Sequence, residues 1–394
     1  MLDSSSCGFS PSWDERLRVV LAFDSMKGSL SAAEACAAAS NEIRRRFATD
    51  VDVLSCPMAD GGEGSLDLIL TDPQARRVDV ASVDALGRPI TAAYAWKDRG
   101  AHIEVARACG LPQVADVPLR PLEASTYGVG LIVMDALRRG AEHIFLYLGG
   151  TASSDAGAGL MEALGMRFTD DSGTDLPHGG GGLLALDAID ASELSRAALA
   201  ARWTLVTDVT TPLLGDCGTA ATFGPQKGAS AAEVTTLSAA FDRLANIVEE
   251  ATTRAIGQEP GSGAAGGIPA LVSAFFDSTT VSGAEHFARH AGLHQAIESA
   301  DLVITGEGRL DAQSFNGKVV GYVATSSRSA SKTPPCVAIA GTIDRTVDIS
   351  PYLVAAFALA DGPATLSELV DRAAVSVGLR AADVIALCLA SRRD

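Results

Sequence analysis

Lysine is scarce in this chain. Only five are present, at positions 27, 97, 227, 318 and 332, beside 26 arginines. Basic residues are few overall: 31 face 48 acids, for a net charge of −17. Such a surface repels nucleic acid and anionic membranes, so neither is an expected partner. Long apolar runs are missing too. LRVVLAF, HIFLYL and CVAIA fall far short of the ~20 residues of a membrane helix. The seven cysteines form no CxxC pair and are odd in number, which argues against a disulfide framework and fits reduced thiols in a cytosol. The opening MLDSSSCGFSPSWDER has neither the basic nor the apolar region of a signal peptide. Cys7 is not read as a lipid anchor, and residues 1–14 read as a frayed extension.

What is present points to a large α/β protein. Apolar residues make up 47% of 394, enough for two cores. LRVVLAF (17–23) reads as a buried strand, followed by a helix over 31–47 that opens with a Ser31/Glu34 capping box. VDVLSC (51–56) and SLDLIL repeat the strand–helix order. Near residue 76 the pattern changes to alternating strands joined at Gly87-Arg88-Pro89 and at Lys97-Asp98-Arg99-Gly100, which reads as antiparallel pairing. A helix over 128–139, strands at 143–148 and 203–207 and a long helix over 231–256 follow. From about 300 the strand–helix alternation returns. The expected fold is a discontinuous Rossmann-like, doubly wound domain (15–75 and 285–394) with a second α/β domain (76–284) inserted. The cleft between the two domains is the expected site.

Glycine-rich loops follow most of the strands. They are DSMKGS (24–29), ADGGEG (59–64), GGTASSDAGAG (149–159), TDVTTPLLGDCG (207–218), FGPQKG (223–228), PGSGAAGG (260–267) and TGEGRLDAQSFNGK (305–318). Glycine lets backbone N–H groups approach a phosphate, serine and threonine add donors, and the acids suit Mg²⁺. Three of the five lysines sit in DSMKGSL, FGPQKGA and FNGKVV, where a compact ammonium suits phosphate. The standard motifs fail. There is no GxxxxGK[ST] and no GxSxG. GxGxxG occurs at Gly261, Gly263 and Gly266, but a helix-like segment precedes it where a dinucleotide fingerprint needs a strand. His286, His290 and His294 fall at i, i+4, i+8, as on one face of a solvated helix.

FDSMKGSLSAAEA, PMADGGEGS, LGGTASSDAGAGL, DVTTPLLGDCGTAATFGPQKGA, GSGAAGG and LVITGEGRLDAQSFNGK occur in the order seen in the bacterial type-1 glycerate kinases. The chain resembles that family over about residues 17–390 and departs from its pattern at Phe23, Tyr127, Val129, Ser154 and Ala156. The resemblance implies ATP-dependent phosphorylation of D-glycerate, with 2-phosphoglycerate as the usual product, and two α/β domains. Formation of 3-phosphoglycerate, or action on a related hydroxy acid, is the alternative. A non-catalytic sensor and a nicotinamide-dependent dehydrogenase are the competing classes. ATP and Mg²⁺ are the expected cofactors, and a homo-oligomer is left open.

Phosphoryl transfer needs a base, charge neutralisation and positioning, and these needs suggest roles. Asp60 or Asp24 is the expected base, and Lys27 and Lys227 the phosphate cations. Ser25, Ser29, Glu63, Asp208 and Arg309 are expected at the substrate, with Arg309 clamping its carboxylate. Gly149, Gly150, Thr151, Gly263, Gly266 and Lys318 are expected at the nucleotide. Asp208, Glu307 and Asp311 are the metal candidates. Each acid could instead close an Asx turn or cap a helix.

Overall fold

A computed structural model describes residues 16–392. The extension expected over residues 1–14 lies outside the described residues. The chain opens with β1 (Leu17–Phe23), α1 (Ala32–Phe47) and β2 (Val51–Ser55). It continues through α2 (Ser65–Ile69), β3 (Arg76–Val83), β4 (Pro89–Lys97), β5 (Gly100–Glu104), α3 (Ala106–Cys109), α4 (Tyr127–Arg138) and β6 (His143–Tyr147). Next come α5 (Ala158–Ala163), β7 (Arg167–Thr169), β8 (Ala188–Asp190), α6 (Arg196–Ala200), β9 (Arg202–Val206), α7 (Thr219–Phe223) and α8 (Ala231–Thr252). Then α9 (Ile268–Phe275), β10 (Asp277–Val281), α10 (Gly283–His290) and α11 (Leu293–Ser299) follow. The last elements are β11 (Leu302–Leu310), α12 (Val319–Ser329), β12 (Cys336–Ile343), β13 (Ala355–Ala358) and α13 (Leu366–Ser391).

Both chain ends build one parallel sheet, ordered β13-β12-β11-β1-β2. Its centre pairs β1 with β11, Phe23 opposite Gly306, so the fold closes on a strand from the far end of the chain. Six of the seven residues of β1 are buried, as expected for a central strand covered on both faces. The capping box of α1 is present: Ser31 Oγ accepts from Glu34 N, and Ser31 N donates to the Glu34 carboxylate. The segment between the two ends builds a second sheet, β10-β9-β6-β5-β4-β3. Here β3, β4 and β5 pair antiparallel, while β5, β6, β9 and β10 run parallel. This is the α/β architecture, with one domain inserted in another, that the strand pattern suggests. Two compact units result. Unit 1 runs up to Pro57, then Ala291–Phe315 and from Val320 onward; unit 2 is Met58–His290 with Asn316–Val319.

Four sequence expectations change. Residues 58–75 and 285–290, expected in the Rossmann-like domain, group with unit 2. The helix expected to reach residue 256 ends at Thr252, because Thr253 turns left-handed at φ 61°. The histidines share no single helix: Gly292, at φ 66°, separates α10 with His286 and His290 from α11 with His294. Finally, α13 is long and apolar enough, by length and composition, to cross a membrane. No unbroken apolar run reveals this, because Asp371, Arg372, Arg380 and Asp383 interrupt it. Its inner side (Val377, Ala381, Val384, Ile385) packs into the core of unit 1.

Candidate active site

In parallel sheets, ligands bind beyond the carboxyl ends of the strands. In unit 1 those ends bring DSMKGS against TGEGRLD. Asp24 N donates to Gly306 O (2.8 Å), and Asp24 Oδ1 accepts from Ser25 N (2.6 Å). Asp24 and Glu307 are both buried, whereas Lys27 is exposed. Arg309 pairs with Asp311 at 3.4 Å, and Asp311 Oδ1 accepts from Gln313 N. The Ser29 hydroxyl is buried without a hydrogen-bond partner among the described residues.

In unit 2, ADGGEG meets the ends of β6 and β9 and the start of α10. The approach is close. A Cβ on Gly149 would lie 2.6 Å from Gly62 Cα, and one on Gly283 would lie 2.1 Å from Asp60 O. Side chains there would drive the loops apart, which explains the bare backbone around the acids. Asp60 Oδ1 accepts from Gly62 N (2.9 Å), closing an Asx turn, while Oδ2 takes no hydrogen bond from the described residues. Asp208 lies beside it. The two Asp208 oxygens accept from Gly283 N (3.0 Å) and Ala284 N (3.1 Å), so the side chain caps α10 from 75 residues away. Burial pushes the Asp208 carboxyl up to about 6, with the Asp60 charge adding to the effect. Glu63 is exposed, and Lys318 is partly exposed. Buried Glu104, on β5, accepts from Leu66 N (3.1 Å); burial raises its pKa.

The loop that follows β6 is built differently. Asp155 is fully buried and accepts from Thr126 N, Thr126 Oγ1, Gly157 N and Gly159 N at 2.7 to 3.2 Å. Lys227 is only 3% exposed. Its ammonium donates to Ser153 O and to Thr151 Oγ1, and burial lowers its pKa to about 8. In this geometry it serves the loop rather than an open phosphate. Gly263 and Gly266 are buried behind the same loop: Thr219 Oγ1 donates to Gly263 O, and Ala156 N donates to Gly266 O. Gly149 is partly exposed and Gly150 exposed, while Thr151 is buried.

Among the described residues no three His, Cys, Asp or Glu side chains form a metal-sized group, so Asp208, Glu307 and Asp311 do not make one. Of the three histidines expected in solvent, His290 and His294 are exposed and His286 is partly buried. Tyr147 OH lies 2.8 Å from His102 Nδ1 and 3.3 Å from His286 Nε2. Sequence reasoning missed this network and the Asp208 cap, because their partners are far apart in the chain and carry no local pattern.

Paired acids and glycine-rich loops at the carboxyl ends of parallel strands define an α/β protein equipped to handle a phosphorylated ligand. Comparison with known proteins narrows the class. The model of the glycerate kinase family matches residues 19–389. A glycerate kinase of Halalkalibacterium halodurans is 38% identical over 82% of this chain and 85% of its own length. The glycerate 2-kinase of Escherichia coli is 36% identical over 84% of this chain and 87% of its own. A crystal structure from Salmonella typhimurium, assigned provisionally as glycerate kinase 2, superposes with a TM-score of 0.82 at 36% identity, covering 96% of this chain and all of that one. The chain belongs to the glycerate kinase family.

Proposed function

We propose that the chain is a cytoplasmic glycerate kinase that transfers the terminal phosphoryl group of ATP to the 2-hydroxyl of D-glycerate. Membership of the family supports the reaction, and the name of the Escherichia coli relative supports the hydroxyl. The observation that carries the mechanism is Asp60. One of its oxygens is fixed by Gly62 N and the other takes no hydrogen bond from the described residues, on a partly exposed side chain in a strand-end loop. Asp60 accepts the hydroxyl proton as the substrate oxygen forms its bond to phosphorus and the bond to the bridging oxygen of ADP breaks. Asp208, capping α10, holds the neighbouring backbone still.

A metal carried on ATP needs only one or two protein carboxylates. Asp208 fits, because a nearby cation would relieve the burial and like-charge pressure that raise its pKa. Mg²⁺ there would neutralise charge on the transferring group. Lys27 and Arg309 keep the phosphate and carboxylate roles suggested by their chemistry. Lys227 is assigned to positioning the loop over 149–159. The test is incubation with ATP, Mg²⁺ and D-glycerate, the product being resolved by phosphorus NMR. A 2-phosphoglycerate signal is expected. A 3-phosphoglycerate signal would move the reaction to the other hydroxyl, and turnover only with another hydroxy acid would overturn the substrate.

A further inference from the structure

Unit 2 holds a cavity of about 550 Å³ between the β3–β4 turn, the start of α4 and the Pro177–His178 segment. That lies within the range of small-molecule sites and is far larger than a three-carbon acid fills. We infer that this cavity seats the purine ring of ATP, an inference that rests on the kinase reading above.

The lining matches a flat, uncharged ring. Val83, Leu86 and Pro177 supply apolar wall. The Tyr127 and His178 rings stack at 4.9 Å, 29° from parallel, and offer aromatic surface. His178 is tethered in turn, its Nε2 3.3 Å from Glu162 Oε2. The charged groups around the cavity are paired among themselves. Arg120 pairs with Glu123, and buried Asp84 pairs with Arg88, which pairs with Asp116 as well. A bare anion such as glycerate gains nothing there, whereas a neutral heterocycle gains stacking and burial. Ser125, 4% exposed, accepts from Tyr127 N, which leaves its hydroxyl proton for a ring nitrogen.

The cavity also stands in the right place. Thr126, between Ser125 and Tyr127, is bound through both its N–H and its hydroxyl to Asp155. A Cβ on Gly159 would lie 2.1 Å from Ser125 Oγ. The cavity floor is therefore continuous with the glycine-rich loop over 149–159, whose first glycine touches the Asp60 loop at Gly62. Base pocket, loop and acid follow one another along the carboxyl end of a single sheet.

The experiment measures binding of a ribose-labelled fluorescent ATP, with unlabelled ATP and inorganic tripolyphosphate as competitors. It compares the wild type with Tyr127→Ala, Tyr127→Phe and His178→Ala. Loss of ring stacking weakens nucleotide binding by roughly ten- to a hundredfold. Tyr127→Ala is expected to weaken ATP by that factor while tripolyphosphate affinity and KM for glycerate stay unchanged. Tyr127→Phe should bind as wild type. His178→Ala, whose side chain is half exposed, gives the same test if Tyr127→Ala fails to fold. ATP binding within twofold of wild type in the alanine variants, or an equal loss for tripolyphosphate, would overturn the base pocket and leave the kinase reading standing. A wild type that neither binds nor turns over ATP would overturn both.

Discussion

Two acids in unit 2 sit in loops that look alike as sequence, MADGGEG and SSDAGAG. Asp60 spends one oxygen on a turn and keeps the other open. Asp155 is fully buried and spends both of its oxygens on four donors. The first arrangement leaves a carboxylate that can take a proton. The second leaves one that can only hold its loop. Glycine beside an acid therefore does not identify chemistry; the count of donors already satisfied by the carboxylate does.

The comparison breaks most readily at Asp155. Alanine there strands four buried donors and removes a buried charge, which costs about 3–5 kcal/mol. Urea unfolding of Asp155→Ala should show a loss of that size. A change below about 1 kcal/mol would mean that Asp155 is no more committed to structure than Asp60.

Lys227 sharpens the same side. As a loop lysine it should cost little to remove, but its ammonium is buried and bound to Ser153 O and Thr151 Oγ1. Lys227→Ala leaves a cavity and an unpaired carbonyl, so a loss of about 2 kcal/mol is expected. The pH dependence has a definite sign. The folded pKa, about 8, lies below the ordinary lysine value, so between about 8 and 10.5 the unfolded chain holds more protons. The wild type should therefore gain stability across that window, and Lys227→Ala should lose that rise. An identical slope in both proteins would place the ammonium in water.

The smallest effect lies behind the Asp60 loop. Burial lowers His102 to about 3 and His286 to about 4, with Lys97, His143, Arg289 and His290 adding repulsion. Both stay neutral when folded and take protons when unfolded, so stability falls as pH drops through 6.5. About 1 kcal/mol should be lost between pH 7 and 6, read by chemical unfolding. His102→Gln with His286→Gln should flatten that slope. An unchanged slope would put the acid sensitivity elsewhere.

Much of the fold was legible because its signals are local. LRVVLAF reads as a strand covered on both faces, and Ser31 with Glu34 announces α1. The two-residue turn at Asp98-Arg99 takes positive φ at both positions, closing the hairpin that the alternating strands suggest. The site was less legible because its partners are not local. Asp155 is satisfied by Thr126, 29 residues upstream, and Lys227 by Ser153, 74 residues upstream. Asp208 finds its donors 75 and 76 residues downstream. No spacing rule reaches that far. Residue types show that an acid is present in a loop but not whether folding leaves it an open oxygen.

Asp60→Asn tests the central contrast most directly. Asparagine keeps the size and still accepts from Gly62 N, so the Asx turn survives. It cannot take the hydroxyl proton. The measurement is kcat for glycerate phosphorylation across pH, alongside the melting temperature. The account predicts a near-unchanged melting temperature and a rate lower by roughly 10² to 10⁴ across the pH range. A variant that turns over at the wild-type rate at every pH would contradict it, and would leave Asp60, like Asp155, an acid that serves only its loop.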